Sequence, residues 1–348
     1  MPNARATHLT RRGILAAGGA LGLGAVLAAC GDDDGKSGGS DDATTAAKSG
    51  PWTFKDDRGT TVKLDKVPTK IVAFVGVAAA LFDYGIEVKG VFGPTKTQDG
   101  KADVQAGDMD ISKLTVFGNV WDQFNVEQYA AFAPEVLLST TFDAAGTLWY
   151  VPEASKDKIA KLAPSAAISV YDRQITQPLE RMWELAESLG ADLKADKAAQ
   201  SKKDFEAAAE RLRKAAKSRP EIKVMAGSAS QDIFYVSGTN LSIDLEYFKA
   251  LGVNFVEPPE SAKKEGGGWF ESLSWENVDK YPADIIMMDD RTSTIQPKDI
   301  TEATWKKLPA VKAGQVIARS PEPILSYAKC TPLLTSLAEA IEKAKKVA

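Results

Sequence analysis

The stretch Ala195–Ser218, ADKAAQSKKDFEAAAERLRKAAKS, holds no glycine or proline and stops just before Pro220. It is built mainly from Ala, Lys, Glu, Gln, Leu and Arg, the residues that lose least on entering a helix, so it predicts one uninterrupted helix. Ala199, Phe205, Ala209, Leu212 and Ala216 recur at helical steps and give a narrow apolar stripe on an otherwise charged rod. At ~1.5 Å per residue the rod spans about 35 Å, the width of a small domain. Such a rod either bridges two domains or lies on the surface of one, and the flanking sequence has to decide.

Both flanks alternate strand and helix. Trp52–Leu64 alternates around Asp57-Arg58-Gly59 as a short hairpin does. Ile71–Val75 is an apolar run of the kind buried on both faces of a sheet, and a helix over Ala78–Tyr84 stopped by Gly85 follows. Strands are predicted at Val88–Phe92, Val136–Ser139 and Ala167–Val170, with helices at Glu127–Phe132, Ser155–Leu162 and Pro178–Leu189. Beyond the rod come strands at Lys223–Ala226, Ile285–Met288 and Gln315–Ala318. Helices are predicted there at Leu241–Leu251, Trp275–Lys280, Thr301–Lys307 and Thr331–Lys346. Repeated βα units make mainly parallel sheets covered by helices, and 348 residues suffice for two cores. The fold class expected is therefore α/β, with two Rossmann-like lobes, 51–193 and 219–348, joined by one long helix over 194–218, and a ligand cleft between the lobes.

Residues 1–29 read as an export signal. Arg5, Arg11 and Arg12 precede the Gly- and Ala-rich run Gly13–Ala29, which is shorter and weaker than a ~20-residue membrane span; a membrane anchor helix is the alternative. Thr10–Leu15 resembles the twin-arginine export motif, although Gly13 and the missing downstream Lys depart from it. Leu27-Ala28-Ala29-Cys30 looks like a bacterial lipobox, in which Cys30 takes a diacylglycerol thioether and becomes the first residue of the mature chain. A two-chain lipid anchors stably. Residues 30–50, with almost nothing to bury, read as a disordered tether. The expected product is a monomeric body held at the outer face of the cell membrane.

Removal of residues 1–29 takes away three arginines and no acids, so the formal charge falls from −4 to −7. That balance argues against nucleic acid as a partner. With Cys30 acylated, Cys330 is the only thiol left, which excludes an intramolecular disulfide. The only histidine is His8, inside the signal, so the mature chain has no imidazole base and no imidazole metal ligand. Most hydrolase and zinc-site readings fall with it, and no resident cofactor is expected.

Four segments carry a family resemblance when taken in order. They are Gly59–Val62 through Pro68–Val72, Phe124–Tyr129 through Ala133–Val136, Leu273–Val278 through Ala283–Ile286, and Trp305–Gly314. Together with the lipobox and the rod they resemble the substrate-binding proteins of ABC importers for ferric siderophores and vitamin B12, in which one long helix joins two α/β lobes. The resemblance implies a non-catalytic receptor that captures a ferric siderophore and delivers it to an ABC permease. It also implies that Glu127 and Glu276, at the motif positions of the two lobes, meet arginines of the permease; a carboxylate at a helix start presents charge at a fixed place. Either residue alone reads better as an acid favouring its helix dipole, and it is the pair at corresponding places in both halves that favours docking. An arginine that some family members carry before the first-lobe motif is missing here, where Asn119-Val120-Trp121 stands.

Ligands of open α/β sheets bind beyond the carboxyl ends of strands. The loops expected there supply Trp121, Phe142, Trp149 and Arg173 from the first lobe, and Tyr235, Trp269, Arg291 and Tyr327 from the second. Sequence alone leaves open whether any one aromatic lines a pocket or fills a core, and Asp289-Asp290-Arg291 reads equally as a solvated turn. Indole faces and a few guanidinium forks suit a ferric ion already wrapped in ligand oxygens, which leaves the first shell of the metal to the chelator. A triscatecholate carries about three negative charges and needs several converging bases. Only Arg173, Arg291 and more distantly Arg319 qualify, which favours a hydroxamate or mixed siderophore, with a corrinoid or other metal chelate as the alternative. A surface hydrolase or reductase would need a Gly-x-Ser-x-Gly elbow on a strand-to-helix turn, a nucleotide fingerprint or a histidine triad, and none supports it: the literal match Gly35–Gly39 lies in the stretch read as the tether. A structural adhesin would leave a two-lobed cleft without purpose.

Overall fold

The computed structural model describes residues 50–348; the expected export signal, Cys30 and the expected tether before Gly50 lie outside the described residues. β1 (Trp52–Lys55) and β2 (Thr61–Leu64) form the expected antiparallel hairpin, with Phe54 opposite Val62. The first lobe then runs β3 (Ile71–Phe74), α1 (Val75–Asp83), β4 (Gly90–Phe92), β5 (Thr115–Val116), α2 (Val126–Phe132), β6 (Val136–Thr141), α3 (Lys156–Leu162), β7 (Ser165–Ser169) and α4 (Thr176–Ser188). Its sheet has the order β5-β4-β3-β6-β7, and every neighbouring pair is parallel. β3 and β6 are buried along their whole length, as strands covered on both faces must be.

After α5 (Asp196–Ser218) the second lobe runs β8 (Val224–Ala229), β9 (Ile233–Ser237), α6 (Ile243–Ala250), β10 (Phe270–Ser274), β11 (Ile285–Asp289), α7 (Ala303–Lys307), α8 (Pro309–Lys312), β12 (Val316–Arg319) and α9 (Tyr327–Lys343). The sheet order is β10-β9-β8-β11-β12. β8, β11 and β12 pair in parallel, whereas β9 and β10 are antiparallel to their neighbours. The sequence pattern did not announce β9, β10 or the short edge strand β5. Side chains on β8 and β11 alternate between two cores, as a period of two requires. Val224, Ala226, Ile285 and Met287 face the core shared with α5 and the first lobe. Met225, Ile286 and Met288 face a separate core with Phe234, Trp275 and Trp305.

α5 is the uninterrupted rod that its composition predicts. Its buried face is broader than the predicted stripe: Ala198, Phe205, Ala208, Ala209, Leu212, Ala215 and Ala216 are buried, and Ala199 is only half-buried. The reason is α9, which lies along it. Phe205 meets Tyr327 with ring centroids 5.4 Å apart, Arg211 pairs with Glu342 at 2.7 Å, and Arg219 donates to the carbonyl of Ala344 at 3.0 Å. Contacts that advance together along both helices mean that they run in the same direction. Burying Phe205 and Leu212 stabilises this seam by about 1.5–3 kcal/mol each. α9 starts against the first lobe, where the Tyr327 N–H donates to the Tyr84 hydroxyl at 3.2 Å and Lys329 pairs with Asp108 at 2.7 Å. The connection is therefore a pair of parallel helices.

Candidate ligand cleft

A cleft of about 710 Å³ opens where the strands end, bounded by Phe142 after β6, Val170 after β7, Ser230 after β8, Arg291 after β11 and Glu322 after β12. β9 adds a whole strand face. Phe234 and Val236 point into the second core, and the alternate residues Tyr235 and Ser237 point into the cleft, which the pleat dictates.

Aromatic rings line the opening from both lobes. Phe142 and Trp149 lie 4.4 Å apart by ring centroids, and Phe142 faces Trp269 across the cleft at 6.5 Å. Tyr235 and Phe270 meet edge to face at 5.0 Å, the geometry that ring quadrupoles favour. Trp269 follows Gly267 and Gly268, both at positive φ (63° and 91°), a turn that residues with a Cβ resist. Its backbone is fastened at both ends, since Trp269 N–H donates to the Gly266 carbonyl at 3.0 Å and its own carbonyl accepts from Gly238 at 2.8 Å. Two bulky residues beside the cleft, Tyr150 and Leu241, also hold positive φ, 60° and 70°, a strained conformation.

Both arginines of the cleft are paired. Arg319 makes a bidentate bond to Asp244 at 2.7 and 2.9 Å and donates to the Ser237 hydroxyl at 3.1 Å, with both partners of the ion pair buried. Arg291 binds Asp289 through Nε and Nη2 and reaches Glu322 through Nη1. Burial opposes the charge of Arg291, but the bonds and charges of Asp289 and Glu322 outweigh it and hold its pKa above the ordinary arginine value. The second oxygen of Glu322 accepts from Trp149 Nε1 and from Gln105 Nε2, both at 3.1 Å. Glu322 thus ties the second lobe to the first, and Thr292 does the same through Asp103. Burial, then the Glu322 charge, pushes the Tyr150 hydroxyl up to about 12.

Of the residues singled out by sequence, Phe142, Trp149, Tyr235, Trp269 and Arg291 share this cleft. Tyr327 does not. The helix expected from Thr331 begins at Tyr327 itself, capped by Ser326, so the ring is buried on the seam against Phe205 and Trp183, at 5.4 and 5.6 Å. Burial, then the charges of Glu180 and Glu206, pushes its pKa up to about 12. Trp121 stands at the outer rim, 57% exposed, edge-on to Trp149 at 4.7 Å. Arg173 lines a neighbouring polar groove with Arg58 and Tyr171. Tyr235 lies on a strand where a loop was expected. Glu322 and Asp289 were missed as cleft residues, although the strand-end rule that found Arg291 reaches both. Glu127, behind the Asn125 cap of α2, and Glu276, in the helical turn Trp275–Asn277, are exposed. The Glu276 pKa is lowered by its own backbone N–H and by the Ser274 hydroxyl.

Among the described residues no helix is long and apolar enough to cross a membrane, and no group of three or more His, Cys, Asp or Glu is placed to hold a metal ion. No curated protein matches the chain. Among solved structures, DesE, a ferric-siderophore receptor protein from Streptomyces coelicolor, is 78% identical; the match covers 85% of this chain and 100% of that one, with a TM-score of 0.84. The petrobactin-binding protein YclQ from Bacillus subtilis is 16% identical, with 84% and 99% of the chains covered and a TM-score of 0.62. The siderophore periplasmic binding protein from the fuscachelin gene cluster of Thermobifida fusca is 20% identical, with 79% and 96% covered and a TM-score of 0.56. The latter two share the fold. The periplasmic binding protein family matches over residues 73–323, and the chain belongs to that family.

Proposed function

We propose that the protein is a receptor that captures a ferric siderophore, of hydroxamate or mixed type, outside the cell membrane and hands it to the permease of an ABC importer. The observation that carries this reading is the cleft, where rings from both lobes face each other above arginines that already have carboxylate partners. A chelate with a partly apolar skin and an oxygen-studded face fits such walls, and the lack of a ligating cluster among the described residues suits a receptor that grips the chelator and leaves the iron to it. The 78% identity to a ferric-siderophore receptor along its whole length supports the same reading. In it, Glu127 and Glu276 dock the lobes on the permease, and Cys30 carries the lipid anchor.

Calorimetric titration of the purified protein with ferric trihydroxamate, ferric triscatecholate, ferric citrate and a corrinoid tests the ligand. Tight binding of the trihydroxamate and weak binding of free Fe³⁺ are expected. Tight binding of the corrinoid alone would replace the ligand, and turnover of any chelate would overturn the receptor class. In cells, Glu127→Ala with Glu276→Ala should cut iron uptake while leaving the purified protein's affinity unchanged.

A further inference from the structure

We infer that Glu322 sets the charge class of the chelate, its carboxylate excluding polyanionic ferric complexes in favour of neutral or cationic ones. The inference rests on the receptor reading and assigns its selectivity to one side chain. The charged groups lining the cleft are Asp143, Asp289 and Glu322 against Arg291 and Arg319. Arg319 is not available to a ligand, because Asp244 holds it in a bidentate pair that is buried on both sides. Arg291 already has one full partner in Asp289, which is itself 1% exposed and fixed by the Ser228 hydroxyl at 3.0 Å and by the Arg291 backbone N–H at 3.0 Å.

Glu322 is therefore a second carboxylate on a guanidinium that Asp289 has neutralised. It stands between Pro321 and Pro323, in a loop whose backbone those rings stiffen. Trp149 and Gln105 of the first lobe hold its other oxygen, so it cannot swing away without breaking contacts between the lobes. A negative charge fixed at the cleft wall repels each negative charge brought beside it, and a partly desolvated site screens that repulsion poorly. Ferric iron bound by three singly charged hydroxamates is neutral, and a pendant ammonium makes such a complex cationic. Iron bound by three doubly charged catecholates is a trianion and meets the full penalty.

The test is the ratio of affinities for a ferric triscatecholate and a neutral ferric trihydroxamate, read by calorimetry in the wild type, Glu322→Gln and Glu322→Asp. Glu322→Gln keeps an oxygen to accept from Trp149 and should shift the ratio toward the trianion by at least about tenfold. Glu322→Asp, which keeps the charge, should preserve the wild-type order. An unchanged ratio in a folded Glu322→Gln protein would overturn the inference. A wild-type measurement stands apart from any folding defect: the wild type should bind the neutral trihydroxamate more tightly than the trianion, and a wild-type preference for the trianion would overturn the inference too. If the wild type binds none of these ferric chelates, the receptor reading fails; if it binds the trihydroxamate and Glu322→Gln changes nothing, only the role of Glu322 fails.

Discussion

In the first lobe only the exit loops of β6 and β7 reach the cleft, bringing Phe142, Trp149, Val170 and one acid, Asp143, whereas the second lobe adds a strand face and both arginines with their acids. The cause lies in the two sheets. A sheet that is parallel throughout is covered on both faces, so its strands supply core and its loops alone supply the site. The antiparallel β9 leaves one face uncovered, and Tyr235 and Ser237 use it. Rings on loops hold their shape by stacking on one another. Charges need a stiffer frame, and Arg319 at the end of β12 and Asp289 at the end of β11 have one. Both lobes supply apolar contact, and the second alone supplies the paired charges.

Removing the frame should have the largest effect. Asp244→Ala strands Arg319 in a buried site and should cost about 3–5 kcal/mol of stability, read as a lower urea midpoint. A loss under about 1 kcal/mol would mean that the second wall does not depend on buried pairing. Next come the rings. Trp149→Ala and Trp269→Ala should each weaken binding of a ferric trihydroxamate by about 1.5–3 kcal/mol, roughly tenfold to a hundredfold. Equal losses in calorimetry sharpen the picture of rings shared by both lobes, and a loss confined to Trp269 would reduce the first lobe to a passive wall.

The smallest effect belongs to the first lobe away from the cleft. Glu135 accepts backbone N–H groups of Lys70 and Thr69 at 2.9 and 2.7 Å, and these bonds, with Lys66 nearby, lower its pKa from 4.5 to about 2. A carboxyl whose folded pKa is depressed contributes its stability above the unfolded value and loses it as pH falls, here from about 5 to about 2. Because the group is partly exposed, Glu135→Gln should remove only about 1 kcal/mol at neutral pH and flatten the acid limb of a stability-versus-pH curve. A curve of unchanged shape would show that those bonds form equally well with the acid protonated.

The repeating βα pattern and the rod were legible because each is local: a run without Gly or Pro, an apolar strand, a Gly stop. β9 and β10 were not. Ile233–Ser237 is five residues long, and Phe270–Ser274 (FESLS) alternates weakly; β9 becomes a strand on the edge that β8 offers, and β10 on the edge that β9 offers. Tyr327 was misplaced for a related reason, since the segment before Thr331 reads as loop until Ser326 caps it into α9. The strand-end rule found Arg291 because loop position follows from strand position, whereas Trp269, also singled out, stands just before β10, a strand the pattern did not announce. Glu322 escaped because a Pro-flanked acid looks like a surface turn, and its partners Gln105 and Trp149 lie 217 and 173 residues away.

The twin helices α5 and α9 also bear on how the receptor signals occupancy. Two rods fastened side by side flex together only if one slips lengthwise past the other. The Arg211 ion pairs and the clasp of Arg219 on the last turn of α9 oppose that slip. Little travel is left at such a joint, so in the proposed role a transporter would have to sense the cargo's own surface and slight loop rearrangements at the rim more than any wide clamshell stroke.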